Sequence, residues 1–293
     1  MGCFFMKTKI FVCSSSAINE LVHDEFIEAI PILYKFSDDE LFEDENELSI
    51  EACYNRLRYE KNSGLELLSI GYERISDYLK KAIEEGYDNA LFILPNRAMV
   101  NLSIPVKIAL EENKEINVIM YQSNEISLPL AYIAFQAQRI FNSGHSIVDT
   151  WNELVNYEGI SNIFVFTPIV KSERNANFEK QFKNGTYQLF KNGKFLKKLD
   201  NRKTNALEFM LDEFKEEIKG KKVIPFILVS DRNSKYNEIL LNNLAEIDDD
   251  LNKDALEHVR LFNLPLWLGL KCGINSVAIG YIECKNGLIL EKK

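Results

Sequence analysis

The stretch Ile75-Ser76-Asp77-Tyr78-Leu79-Lys80-Lys81-Ala82-Ile83-Glu84-Glu85-Gly86, followed by Tyr87-Asp88-Asn89 and then by Ala90-Leu91-Phe92-Ile93-Leu94, decides the fold class. Ile75, Tyr78, Leu79, Ala82 and Ile83 recur at helical spacing, which gives the first segment one apolar face. Gly86 stops that helix, because glycine takes the left-handed backbone conformation at a helix end without strain. The five residues Ala90 to Leu94 are apolar with no alternation, the pattern of a strand covered on both faces. A helix feeding such a strand predicts a parallel sheet flanked by helices, whose loops at the carboxyl ends of the strands are the place for a ligand.

Upstream, Lys9-Ile10-Phe11-Val12 reads as the opening strand and runs into Cys13-Ser14-Ser15-Ser16 ahead of an acidic helical stretch from about Asn19. Three hydroxyls at a strand-to-helix turn offer donors to an anion, and the same serines serve equally well as helix caps. Ile30 to Phe36 is a second apolar run. The acids Asp38-Asp39-Glu40 and Glu43-Asp44-Glu45 read as a solvated loop or helix face, and they lack the aspartate and glycine spacing of a calcium loop. Downstream, Ile116 to Met120 is a strand, and Ile126 to Ile140 is a helix so apolar that it must be nearly enclosed. Ile147, Trp151, Leu154 and Val155 then mark an amphipathic helix leading to a boundary near Gly159.

Beyond that boundary the pattern changes. Ile163 to Phe166 is a strand, and Thr186 to Phe190 is joined to Phe195-Leu196 by Lys191-Asn192-Gly193-Lys194, where Asn-Gly signals a tight hairpin. A helix is expected from Asn205 to Lys219, a central strand from Val223 to Val229, although Pro225 pushes it toward an edge or bulge, and a helix from Tyr236 to Ile247. A strand from Val259 to Phe262, a glycine-punctuated loop from Leu268 to Asn275 and a strand from Val277 to Tyr281 complete the chain. The expectation is a two-domain α/β protein: residues 1–158 with an N-terminal parallel sheet flanked by helices, and residues 159–293 with a C-terminal mixed sheet and helices.

Composition narrows the function classes. A chain of 293 residues with 46% hydrophobic and 27% charged residues is globular and long enough for two cores. A formal charge of -9 argues against a nucleic-acid partner, which needs a basic face. The five cysteines, Cys3, Cys13, Cys53, Cys272 and Cys284, are scattered and odd in number, as reduced thiols of a cytoplasmic protein are. Met6 stands where a myristoylation signal wants serine or threonine, and no apolar run reaches the roughly 18 residues of a membrane span. His23, His145 and His258 have no Cys or carboxylate at metal-ligand spacing and read as surface or capping residues. Phosphate-loop and dinucleotide fingerprints are missing, so no cofactor is expected. Cys13 has no base beside it in sequence and reads as a buried strand-end thiol rather than a nucleophile.

Several segments taken in order resemble one family. Ile10-Phe11-Val12-Cys13-Ser14-Ser15-Ser16-Ala17 is similar to the Asp-Ser-Ser-Ala opening of the DegV family of bacterial lipid-binding proteins. Ser69-Ile70-Gly71-Tyr72 resembles its Ser-Pro-Gly helix start, and Glu84-Glu85-Gly86-Tyr87-Asp88 its Glu-Gly-Tyr-Asp turn. Arg202-Lys203 is similar to its basic turn, and Gly269 to Gly273 to its Gly-Ala-His-Thr-Gly loop. The resemblance implies two α/β domains with one long-chain fatty acid in an apolar tunnel between them, the carboxylate on hydroxyl donors. It also implies that the protein is a carrier presenting the acid to a fatty acid kinase subunit rather than an enzyme.

The departures fall on the head-group site. The family's Thr-Ser-Gln-Pro-Ser turn lands on Leu65-Glu66-Leu67-Leu68-Ser69, and its Ser-Gly-Thr-Tyr turn on Met99-Val100-Asn101-Leu102. Most hydroxyls are lost and an acid, Glu66, enters, although a buried carboxylate without partners costs several kcal/mol. Asn101 keeps an amide donor, Arg97 precedes the altered turn, and Lys271 stands at the family's histidine position, where it either pairs with a carboxylate or snorkels to solvent. The expected ligand-binding set is therefore Ser14, Ser15, Ser69, Arg97, Asn101 and Lys271, with no catalytic or metal residues. Two alternatives stand beside it: a relative without lipid acting as an interaction protein, and an α/β enzyme with a base within hydrogen-bond reach of Ser14 to Ser16.

Overall fold

The computed structural model describes residues 7–44, 47–60, 64–168, 185–198, 205–246 and 261–284. In chain order the first elements are β1 (Thr8–Cys13), β2 (Ile27–Ile30), β3 (Leu33–Phe36), β4 (Leu41–Glu43), α1 (Ile50–Tyr59), β5 (Leu65–Leu68) and α2 (Tyr72–Glu84). They continue with β6 (Asn89–Leu94), α3 (Ser103–Glu112), β7 (Asn117–Gln122), α4 (Leu128–Asn142) and α5 (Ile147–Leu154). The remaining ones are β8 (Ser161–Pro168), β9 (Gly185–Lys191), β10 (Lys194–Lys198), α6 (Ala206–Ile218), β11 (Val223–Val229), α7 (Lys235–Glu246), β12 (Leu261–Asn263), α8 (Leu266–Cys272) and β13 (Val277–Glu283). The described residues of 7–49 and 60–158 form one compact unit, and those of 50–59 and 159–284 form a second.

The first unit holds a parallel sheet of order β2-β1-β6-β7. Every residue of β1 and β6 is buried, as a sheet covered on both faces requires. Phe11 and Phe92 are register partners on one face and stack at 4.9 Å, and Tyr78 of α2 meets Phe11 edge-on at 6.0 Å. Helix α4 packs against β1 and β6, and α3 joins α2 as α5 joins α4. The turn that decided the fold forms as expected: Gly86 has φ 78°, its N–H donates to Ile83 O, and Tyr87 N–H donates to Ala82 O, closing α2 before β6. Lys9, only 5% exposed, ties β1 to its neighbours through Glu28 at 3.0 Å and Glu85 at 3.5 Å, and Lys81 of α2 meets Glu28 at 2.8 Å.

The second unit holds a mixed sheet of order β10-β9-β8-β13-β11-β12, antiparallel throughout except for the β11–β12 pair. Asn192 (φ 49°) and Gly193 (φ 75°) make the tight turn between β9 and β10. The Asn205 side chain caps α6 by accepting from Leu207 N–H, and Leu207, Met210, Leu211, Phe214 and Ile218 enter the core, where Phe214 meets Phe164 edge-on at 5.6 Å. Helix α1, early in the sequence, packs in this unit: Tyr54 Oη donates to Pro265 O at 3.2 Å, and Arg58 donates to Asn275 Oδ1, Ile274 O and Ser230 O. Gly269 leaves room for the Tyr54 ring, which a Cβ there would strike.

Four local expectations are corrected. No α-helix follows β1; the chain makes 3-10 turns at Ser14–Ser16 and Ile18–Glu20, separated by Ala17 at φ 58°, and goes directly to β2. The run from Ile30 to Phe36 divides at Pro31, which has no N–H for a ladder, so Ile27–Ile30 joins the parallel sheet and Leu33–Phe36 the antiparallel sheet β4-β3-β5. Asp44, expected in solvent, is 2% exposed. The stretch from Leu268 begins inside a helix, since α8 runs from Leu266 to Cys272 and Gly269 is used for packing rather than turning. Strand β11 is central as expected, between β13 and β12, and Pro225 is tolerated there because the described β12 pairing covers only Ile227 to Val229.

Candidate functional site

The carboxyl ends of β1, β6 and β7 converge in the first unit, and each loop there is held by side-chain hydrogen bonds. At the end of β1, Ser14, Ser15 and Ser16 are 2%, 2% and 0% exposed. Ser14 Oγ donates to Asp44 Oδ1 at 2.8 Å, and the same carboxylate oxygen accepts Ile32 N–H at 2.7 Å. Ser15 Oγ lies 3.1 Å from Cys13 Sγ, and Ser16 Oγ accepts from Ile18 N–H at 3.3 Å. Burial pushes the Cys13 thiol up to about 12, so it is held protonated.

The loops after β6 and β7 are laced together. Arg97 Nε donates to Gln122 Oε1 at 2.9 Å, Gln122 Nε2 donates to Pro95 O, and Asn96 Nδ2 donates to Asn124 Oδ1 at 3.4 Å. Glu158 organises the β7 end: Oε1 accepts from Tyr121 Oη and Ser123 Oγ, both at 2.7 Å, and Oε2 accepts from Asn124 N–H at 2.9 Å. Burial, then the Glu158 carboxylate, hold the Tyr121 hydroxyl well above its usual pKa. Helix α4 starts at this end and packs against the serine turn.

Of the residues expected to bind ligand, Ser14 and Ser15 stand side by side and buried. Arg97 and Asn101 are exposed; Asn101 Oδ1 accepts from Ser103 Oγ at 3.0 Å. Ser69 is exposed at the end of β5, and its hydroxyl reaches only Ile70 O at 3.4 Å. The segment aligned with the family's hydroxyl turn is therefore a strand, in which exposed Glu66 opposes Lys35 of β3. Lys271 is exposed in the last turn of α8, in the second unit. Phe164 and Phe166 belong to the core of that unit. His258 and the Arg202-Lys203 turn lie outside the described residues.

Sequence reasoning missed Asp44, Glu158 and Ser127. The first two carried no signal beyond being acids in polar stretches. Ser127, immediately before α4, is 0% exposed and its Oγ has no hydrogen-bond partner. The Ser-x-Pro start of α4 was its legible sign, since proline favours the first turn and serine the cap, yet this serine makes no side-chain cap bond.

A family profile described as "Uncharacterised protein, DegV family" matches residues 7–167. No curated protein matches the sequence significantly. Among solved structures, a fatty acid binding DegV family protein from Streptococcus agalactiae superposes with a TM-score of 0.73 at 17% identity, covering 96% of this chain and 100% of that one. DegV from Bacillus subtilis, described as a fatty acid binding protein, gives 0.72 at 17% identity over 95% and 100% of the chains. A stearic acid-binding protein from Eubacterium ventriosum gives 0.69 at 14% identity over 94% and 98%. The profile spans more than half of the 293 residues, and the parallel sheet with its serine turn lies inside it, so this chain belongs to the DegV family.

Proposed function

We propose that this protein binds a long-chain fatty acid, holds the tail in an apolar tunnel and presents the head group to a fatty acid kinase subunit in the cytoplasm. The observation that carries the reading is family membership, joined to structural relatives described as binding fatty acids over nearly the whole chain. Physical chemistry makes the scheme sufficient: at about 0.8 kcal/mol per buried methylene, a long tail supplies affinity and the polar groups need only orient one end. Among the described residues no helix is long and apolar enough to cross a membrane, and the buried free thiols Cys13, Cys53 and Cys272 suit a reducing compartment. The proposed contacts are those of the expected set, Ser14, Ser15, Ser69, Arg97, Asn101 and Lys271. Lys271→Met tests one of them through the preference for acid over alcohol.

One observation favours a second reading, in which the serine turn is catalytic: the Asp44 carboxylate lies within hydrogen-bond reach of Ser14. Against it, both residues are 2% exposed and the Asp44 oxygen is shared with the Ile32 N–H. That arrangement clamps the β1 end to the segment preceding β3. Native mass spectrometry separates the readings. A carrier incubated with palmitate shows an adduct of the acid's mass that is lost on denaturation. No adduct under those conditions rejects the carrier reading in favour of a lipid-free interaction protein, and covalent labelling of Ser14 by a fluorophosphonate supports an enzyme.

A further inference from the structure

At the amino end of the parallel sheet, opposite the serine turn, the first unit has a cavity of about 660 Å³ between the sheet and the turn from α4 to α5. That volume lies within the roughly 300–1,000 Å³ of small-molecule pockets. Its floor is a row of polar register partners, Thr8 of β1, Asn89 of β6 and Asn117 of β7. Thr8 and Asn89 are 9% and 2% exposed, although asparagine is a poor strand former. The next row on the same face, Ile10, Leu91 and Ile119, is apolar.

The hydrogen bonds of the polar row run one way. Asn117 Nδ2 donates to Asn89 Oδ1 at 3.0 Å, and Asn89 Nδ2 donates to Thr8 Oγ1 at 3.4 Å. Among the described residues this leaves Asn117 Oδ1 an open acceptor at one end and the Thr8 O–H an open donor at the other, about 10 Å apart across the strands. From α4, Gln138 gives its Nε2 to Asp24 and keeps Oε1 open, and the exposed Asn142 amide makes no hydrogen bond among the described residues. Next to it, Phe141 lines the cavity with a half-buried ring that pairs with no other aromatic ring among the described residues.

No carboxylate is among the described residues lining the cavity, and the two basic side chains there are engaged. Lys7 Nζ lies 4.0 Å from the centre of the Tyr87 ring and donates to Glu85 O at 3.4 Å. His145 has Nδ1 on Ser143 Oγ at 2.9 Å and Nε2 3.3 Å from Glu153. A phosphate or an ammonium group would find no partner here, whereas a neutral molecule with donors and acceptors would.

We propose that this cavity binds a neutral purine nucleoside, its base edge on the amides of Asn117 and Asn142, its base face on Phe141 and its sugar toward Thr8. A side-chain amide carries a donor and an acceptor side by side, as the edge of adenine does, and an aromatic ring gives the flat base a stacking partner. The span from Asn117 to Thr8 suits a base joined to a sugar rather than a base alone. None of these residues belongs to the proposed fatty-acid contacts, so this site does not depend on that reading.

The test is NMR of the whole chain labelled with nitrogen-15 asparagine, titrated with adenosine, AMP and glucose. Adenosine is expected to shift the side-chain amide signals of Asn117 and Asn142 to saturation, with AMP binding no more tightly and glucose giving no saturation. Asn142→Ala, which breaks no hydrogen bond among the described residues, weakens adenosine binding about tenfold. Phe141→Leu, which keeps an apolar side chain without the ring, also weakens it about tenfold. The adenosine titration is unchanged by palmitate, so either reading can fail while the other stands. No saturation at millimolar adenosine, tighter binding of AMP, saturation by glucose alone, or unchanged affinity in both variants overturns the proposal.

Discussion

At the scale of single residues the buried polar groups separate into those that hold the fold and those left for something else. Asp44 belongs to the first kind, because its carboxylate satisfies two buried donors, Ser14 Oγ–H and Ile32 N–H. Asp44→Ala strands both and is expected to cost about 2–3 kcal/mol in urea unfolding, with a smaller loss for Asp44→Asn, whose side-chain oxygen still accepts. Cys13 and Cys272 are both pushed up to about 12, chiefly by burial. At pH 8 both stay as thiols, so alkylation followed by peptide mapping should leave them unmodified in the folded protein and modify them once urea unfolds it. Rapid labelling of Cys13 in the native state would contradict its burial. The sequence showed that Cys13 ends a strand, but the burial of Asp44 was illegible, because three neighbouring acids read alike until the chain turns and one is placed under Ser14.

At the scale of elements, local rules were read correctly where a backbone conformation demands a particular residue. Gly193 at φ 75° in the β9–β10 turn is such a place. Gly193→Ala forces a Cβ into left-handed backbone and is expected to cost about 1–2 kcal/mol, measured by chemical denaturation, with the fold retained. The join of β1, β2 and α2 depends on pH. Burial raises the Glu28 pKa, but Lys81 and Lys9 outweigh it and hold the carboxyl below its ordinary value of 4.5. A carboxyl depressed on folding contributes stability that is present above its ordinary value and is lost as pH falls through the folded one. Glu28→Gln should therefore lower thermal stability at pH 7 and flatten its decline below about pH 4.5; an unaltered acid limb would remove this pair from the account. The helix expected after Ser16 and the loop expected at Leu268 were misread for one reason: short segments carry too little periodicity to separate a 3-10 turn, a helix and a loop.

At the scale of the whole molecule, a carrier is expected to be stabilised by its cargo. Palmitate at about 100 times its Kd adds about 2.7 kcal/mol, visible as an upward shift of several degrees in thermal unfolding, while a short acid such as butyrate shifts nothing. Equal effects of the two acids would show that tail burial does not drive binding. By itself the sequence determined the two kinds of sheet, the helix and glycine stop leading into β6, the hairpin at Asn192-Gly193 and the family. These are local patterns, in which residue spacing and backbone preference act over a few turns of chain. Only the tertiary structure decided that α1 packs in the second unit, that Asp44 is buried beneath Ser14, and that the Ser127 hydroxyl is enclosed with no partner. Those outcomes depend on which groups meet across long separations in sequence, and burial turns an ordinary acid or hydroxyl into a clamp or an unpartnered group only after those meetings are made.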